Sequence, residues 1–172
     1  MLKRFFTIEK LKWLIIFIGL IVLDQVSKFL VSTNMQEFES IPVINNFFAI
    51  TYSRNSGMVF GALEGAASAN FWILLIFAVV ASGIFGYLFF KSDFKDKRLW
   101  IYRLALILLI SGSIGNGIDR AIQPDHSVID FLDFHGIWVY IFNLADSFLV
   151  VGIGLFFIDT FILEKRRENT NE

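Results

Sequence analysis

The chain has 172 residues, 56% of them hydrophobic and 18% charged, with a net charge of −1 and no cysteine. A soluble domain is about 45–50% apolar and about 25% charged, and a chain this short could not hide such a surplus, 21 phenylalanines included, in a core of its own. Lipid is therefore the simpler solvent. The charge gives no pointer to nucleic acid, and the missing cysteine excludes disulfides, a thiol nucleophile, a thiolate metal site and a cysteine-borne lipid anchor.

Length predicts one membrane domain over residues 1–172. The basic N-terminus resembles a signal peptide. Its apolar run is too long for that, holds Asp24 and Lys28 and ends in no small-residue cleavage site, so it reads as a retained helix. A helix needs about 20 mostly apolar residues to cross a bilayer, and four stretches qualify: 13–31, 71–90, 99–118 and 137–163. Trp13, Trp72, Trp100 and Trp138 each stand at the start of one, as interfacial aromatics do. All basic residues except Lys28, Arg54 and Arg120 flank the spans on one side. By the positive-inside rule both termini and the middle loop face the cytoplasm.

The first outer loop, about 38–66, predicts a small β-sheet. Phe48, Ile50 and Tyr52 alternate with Ala49, Thr51 and Ser53, Asn55-Ser56-Gly57 reads as a turn, and Met58–Ala62 is a candidate return strand. The predicted fold is thus an all-α polytopic membrane protein of four transmembrane helices with a small sheet in its first outer loop.

Charges inside a spanning segment are costly and mark either function or a paired structural contact. Asp24 and Lys28 are four apart and share a helix face, which suits an internal ion pair or support of a site. Gly112, Asn116, Asp119 and Arg120 share one face of the third span, where a tight interface closed by an Asp119–Arg120 pair is expected. In the fourth span, Asn143 and Asp146 are three apart; with a helix start near Val139, Asp146 lies about two turns in. The preceding loop carries Asp130 between Ile129 and Phe131, near the bilayer surface, while Asp125 and Asp133 read as solvated loop acids.

Two carboxylates at one depth, Asp130 and Asp146, could hold one proton between them. The charged member would activate water and the protonated one polarise a carbonyl. His126 and His135 form no H-E-x-x-H pattern, so no metal is expected, and no cofactor is implied. A Ser-Lys dyad of Ser27 or Ser147 with Lys28 has no motif behind it. Composition and spacing stop at a two-carboxylate membrane enzyme or a small proton-coupled transporter or channel. A non-catalytic scaffold is the third reading.

Five strings, in order along the chain, resemble those of the lipoprotein signal peptidases (signal peptidase II). Asp24-Gln25-Val26-Ser27-Lys28 is similar to that family's D-Q-x-x-K. Asn55-Ser56-Gly57 with Phe60 is similar to N-x-G-x-x-F. Gly112, Asn116, Asp119 and Arg120 match G-x-x-x-N-x-x-D-R, Val128-Ile129-Asp130-Phe131 matches V-[VI]-D-F, and Phe142-Asn143-Leu144-Ala145-Asp146-Ser147 matches F-N-x-A-D-S. The resemblance implies an aspartic endopeptidase with Asp130 and Asp146 as the catalytic pair. Asp24, Lys28, Asn55, Gly57, Gly112, Asn116, Asp119, Arg120, Asn143 and Ala145 would support the site or bind substrate. The implied substrate is a diacylglyceryl-modified bacterial prolipoprotein, cut before its lipidated cysteine by a monomer among plasma-membrane lipids, with the active site near the outer face. The chain departs from the family at Met58-Val59, where small residues are common, and at Tyr140-Ile141, where a proline is usual.

Overall fold

The structure is a computed structural model that describes residues 8–57 and 67–169. The element order is α1 (Ile8–Asn34), β1 (Ser40–Ile44), β2 (Phe48–Asn55), α2 (Ala67–Lys91), α3 (Trp100–Ile122), β3 (Val128–Phe134), α4 (Leu144–Ile158) and α5 (Glu164–Asn169). A 3₁₀ turn, Lys97–Leu99, leads into α3, and a π turn, Asp159–Leu163, joins α4 to α5. Four helical stretches are long and apolar enough to cross a membrane: Ile8–Asn34, Phe71–Lys91, Lys97–Ile122 and Leu144–Arg167. All four expected spans are present.

The third of them is the axis of the bundle. α3 packs against α1, α2 and α4, and nearly every residue from Ala105 to Asn116 is buried. The other three helices expose large apolar side chains such as Ile18, Phe77 and Val150. In water that surface would be a defect; in lipid it is the required outside. At one end of the bundle Phe89, Leu106, Ile107 and Ile110 pack with Trp13 and Phe17. At the other, Val31 of α1 packs with Tyr52, Ile129 and Phe131, which seats the sheet on the helix ends.

The sheet is antiparallel, in the order β1-β2-β3. Phe48 pairs with Phe134 and Asn55 with Val128, and the register shifts between Ile50 and Ser53 so that Ser53 stands opposite Asp130. The sheet is therefore not confined to the first outer loop. Its third strand comes from the second, because Val128–Phe134 finds its backbone partners along β2. The candidate return strand Met58–Ala62 lies outside the described residues.

Two further expectations need correction. The fourth span begins at Leu144 and not near 137 or Val139. The apolar residues ahead of it are spent on a turn and a bridge to β3, where the Phe142 N–H donates to Leu132 O at 3.1 Å and Leu132 N–H donates to Phe142 O at 2.7 Å. Trp138 therefore sits in the loop ahead of the helix. Nor is Asp133 a solvated loop acid: it is a β3 residue that accepts a 2.8 Å hydrogen bond from the Thr51 hydroxyl. Asp125 is exposed but paired with Arg54 at 3.0 Å.

Candidate functional site

The start of α4 is built by its own sequence. Asn143 is the N-cap, and its side-chain Oδ1 accepts from Asp146 N–H at 2.9 Å. The Asp146 carboxylate accepts from Asn143 N–H at 3.2 Å, completing a reciprocal capping box. Asp146 is thus in the first turn of the helix, not two turns in. A third donor of this helix end, Ala145 N–H, is satisfied by Asp24 Oδ1 of α1 at 2.9 Å. Such end groups have no partner within their own helix, so buried ones must find partners elsewhere.

With its oxygen held by the cap, the Asn143 amide turns its nitrogen outward. Nδ2 donates to Asp130 Oδ1 at 2.7 Å and approaches Asn116 Oδ1 at 3.0 Å. The other Asp130 oxygen accepts from Asn55 Nδ2 at 3.0 Å. Asn116 Nδ2 donates to Asp146 Oδ1 at 2.7 Å. One residue, Asn143, therefore touches both Asp130 and Asp146. Burial, then the nearby charge of Asp146, pushes the Asp130 carboxyl up to about 7 from its ordinary 3.8.

Behind this pair lies a buried ionic cluster. Lys28 is 1% exposed, and its ammonium meets Asp24 at 2.9 Å, Asp119 at 3.0 Å and Asn116 Oδ1 at 3.0 Å, which uses all three protons. The expected Asp24–Lys28 pair is present. The expected Asp119–Arg120 pair is not made: Asp119 turns to Lys28, to the Gln25 amide at 3.1 Å and to Ile129 N–H at 3.2 Å. That last bond anchors the strand residue beside Asp130. Arg120 instead donates to Asn116 O of its own helix at 3.3 Å, and its charge acts on Asp146 and Asp130.

Gly112 and Gly115 allow this approach. A Cβ on Gly112 would stand 2.5 Å from Ala145 O, and one on Gly115 would stand 2.6 Å from Asp24 Oδ2. Gly57 has φ +97° and donates its N–H to Asn55 Oδ1 at 3.0 Å, which fixes the amide that reaches Asp130. Gln25 was not among the sequence candidates, although it lies within the first motif. It donates to Asp24, Gly115 O and Asp119 and so welds α1 to α3. Its only sequence signal is its place beside Asp24. Among the described residues, no group of three His, Asp or Glu side chains is placed to hold a metal ion.

Two carboxyl groups, one displaced to neutral pH and both fixed by amides, can activate water and donate a proton. Comparison with known proteins bears on what such a site is for. A family model described as signal peptidase (SPase) II matches residues 16–162. The lipoprotein signal peptidase of Fusobacterium nucleatum subsp. nucleatum is 36% identical over 159 residues, covering 92% of each chain. That of Clostridioides difficile is 43% identical over 141 residues, 81% of this chain and 88% of the relative. A bacterial membrane enzyme solved by the in meso method at 2.3 Å resolution superposes with a TM-score of 0.76 and 31% identity, covering 92% of this chain and 90% of that one.

Proposed function

The chain belongs to the signal peptidase II family, a family of membrane proteases, and we propose that it is an aspartic endopeptidase whose reacting groups are Asp130 and Asp146. Asn143 carries the reading, because its side-chain amide holds Asp130 while its backbone N–H holds Asp146. The two acids share one proton near neutral pH and titrate as a pair. The charged member takes a proton from water as that water attacks the scissile carbonyl. The protonated member donates to the carbonyl oxygen, and the proton then reaches the leaving nitrogen. No acyl-enzyme forms.

The proposed substrate is a prolipoprotein carrying diacylglycerol on cysteine, cut just before that residue. Its signal helix and acyl chains stay in the membrane, so only the scissile bond need meet water. A pair of acids where α4 meets the sheet suits that geometry. With the basic flanks of the spans in the cytoplasm, the pair lies near the outer face of the plasma membrane. The other candidate residues act as supports: Asp24, Lys28 and Asp119 hold the ends of α1, α3 and α4, and Asn55 and Asn116 orient the two carboxyls. A transmembrane conduit is disfavoured, because the buried apolar run Ala105–Ile110 of α3 separates the charges of this cluster from Arg103 and Asp159 at the other end.

The test is cleavage of a diacylglyceryl-modified lipobox peptide by purified protein. Asp130→Asn and Asp146→Asn should each lower the rate by at least the roughly 10²–10⁴-fold that acid–base groups contribute, with the folded protein retained. Normal processing by the Asp146→Asn protein would refute the assignment.

A further inference from the structure

The end of the sheet nearest Asp130 is tied by a polar construction that the proposed chemistry does not use. The β2–β3 ladder ends at Asn55 and Val128, the last pair in register. From that end Asn55 Nδ2 reaches across the ladder to Asp130 Oδ2 at 3.0 Å. Strand ends fray where nothing ties them down. A bond of that length is lost once its partners move apart by about 1 Å more, so Asn55 holds the acid only while β2 stays on β3.

Arg54, the residue before Asn55, supplies the tie. Its Nε donates to the Tyr52 hydroxyl at 2.9 Å, and its Nη1 donates to Asp125 at 3.0 Å. Tyr52 is 4% exposed and packs with Val31, Ile129 and Phe131, so its hydroxyl stands on the core that seats the sheet. Asp125 is fixed as well. Its Oδ1 accepts from the Ser127 hydroxyl at 2.9 Å and from Ser127 N–H at 3.3 Å, and Ser127 leads directly into β3. Between them His126 takes φ +57°, which is uncommon outside glycine. Its ring stacks on Phe71 of α2 at 3.9 Å, and its Nδ1 lies 2.9 Å from Arg120 O. A carbonyl only accepts, so Nδ1 is the donor there. The turn Asp125–Ser127 is thus fastened to α2, α3 and β3, and Arg54 fastens β2 to that turn.

Stability does not account for this arrangement. The Arg54 and Asp125 side chains are 30% and 49% exposed, and an ion pair in water contributes little. Position accounts for it better. A guanidinium held on one side by the core and on the other by the turn fixes the backbone that carries Asn55. The charges that act on Asp130 come from Asp146 of α4, Lys28 of α1 and Arg120 of α3. None of them belongs to the clamp, which meets the acid through the Asn55 amide.

We propose that Arg54 is a positioning residue: through Tyr52 and Asp125 it holds the end of β2 against β3 and so keeps the Asn55 amide on Asp130. The inference deepens the reading of Asp130 as a reacting acid and takes its importance from that reading. Its test needs no cleavage, so the two can fail separately.

The experiment is a pH titration of the infrared carboxyl band of Asp130 in the full chain. Asn55→Ala should raise the midpoint by about one pH unit, the size expected of one hydrogen bond to a charged group. Tyr52→Phe keeps the ring and every charge and removes one anchor of Arg54; Asp125→Ala removes the other. Each should raise the midpoint by about half of that unit or more. A direct field of these charges on Asp130 would act differently: Tyr52→Phe would leave the midpoint in place, and loss of the negative Asp125 would lower it. Combined with Asn55→Ala, neither variant should move the midpoint beyond Asn55→Ala alone, because the bond is already gone. An unmoved midpoint in Tyr52→Phe, a lowered one in Asp125→Ala, or shifts that add in full to that of Asn55→Ala overturns the proposal.

Discussion

Removing the charge of Asp146 should make Asp130 a stronger acid, and the size of the change can be bounded. The Asp130 carboxyl is pushed up to about 7 from 3.8, first by burial and second by Asp146. At about 1.4 kcal/mol per unit, the native environment disfavours ionised Asp130 by about 4 kcal/mol. An unfolded chain gives up this proton near the ordinary value, so from about pH 4 to 7 the native state holds more protons than the unfolded one. This group's contribution to stability is therefore complete below about pH 4 and is lost as pH rises through about 7. In Asp146→Asn the charge goes but the burial stays, so the midpoint should settle between 3.8 and about 7. The assay is a pH titration of the infrared carboxyl band of the protonated acid, assigned by its loss in Asp130→Asn. A wild-type midpoint near 4 would refute the burial argument, and a midpoint unmoved by Asp146→Asn would refute the coupling.

The remaining predictions follow from the same network. Asn55→Ala removes a hydrogen bond that favours ionised Asp130, so the limb of the cleavage-rate profile that reports this proton should move to higher pH; a shift the other way would contradict the geometry. Lys28→Met leaves Asp24 and Asp119 buried without their counter-charge and should destabilise the protein by about 3–5 kcal/mol in denaturation measurements. Gly112→Ala drives a methyl against Ala145 O and Leu149 Cγ, at 2.5 and 2.7 Å, and should cost about 1–3 kcal/mol. Gly83→Ala meets nothing within 4 Å and serves as its control, expected within about 0.5 kcal/mol of wild type.

The spans were legible because lipid imposes a length and a composition, and α1, α2 and α3 obey both. The start of α4 was not, because hydropathy cannot distinguish apolar residues that bridge to a strand, such as Phe142, from those that wind into a helix. A better signal was present: Asn143 and Asp146, three apart, have the spacing of a capping box, and that fixes the boundary. The third strand was missed because Val128–Phe134 carries Asp130 on one face and Asp133 on the other, which blurs the alternation. The expected Asp119–Arg120 pair failed for a reason available in advance, since adjacent helical residues point about 100° apart and do not face each other. The bond from Ala145 N–H to Asp24 spans 121 positions, and no local pattern encodes it.

The two asparagines explain why the ionic cluster and the proposed dyad form one device. An amide has two ends of opposite hydrogen-bonding sense, and in both residues one end is already committed. Asn116 Oδ1 faces the Lys28 ammonium and the Asn143 amide, so its nitrogen must point to Asp146. Asn143 Oδ1 caps Asp146 N–H, so its nitrogen must point to Asp130. Lys28 thus orients a donor on Asp146 without touching it, and the start of α4 orients a donor on Asp130. A carboxylate at either asparagine would keep the acceptor and lose the donor, leaving a further negative charge beside two acids. The buried cluster of α1 and α3 is costly to assemble. Through Asn116 it sets the direction of the side-chain hydrogen bond that reaches Asp146, and the small residues Gly112, Gly115 and Ala145 admit it.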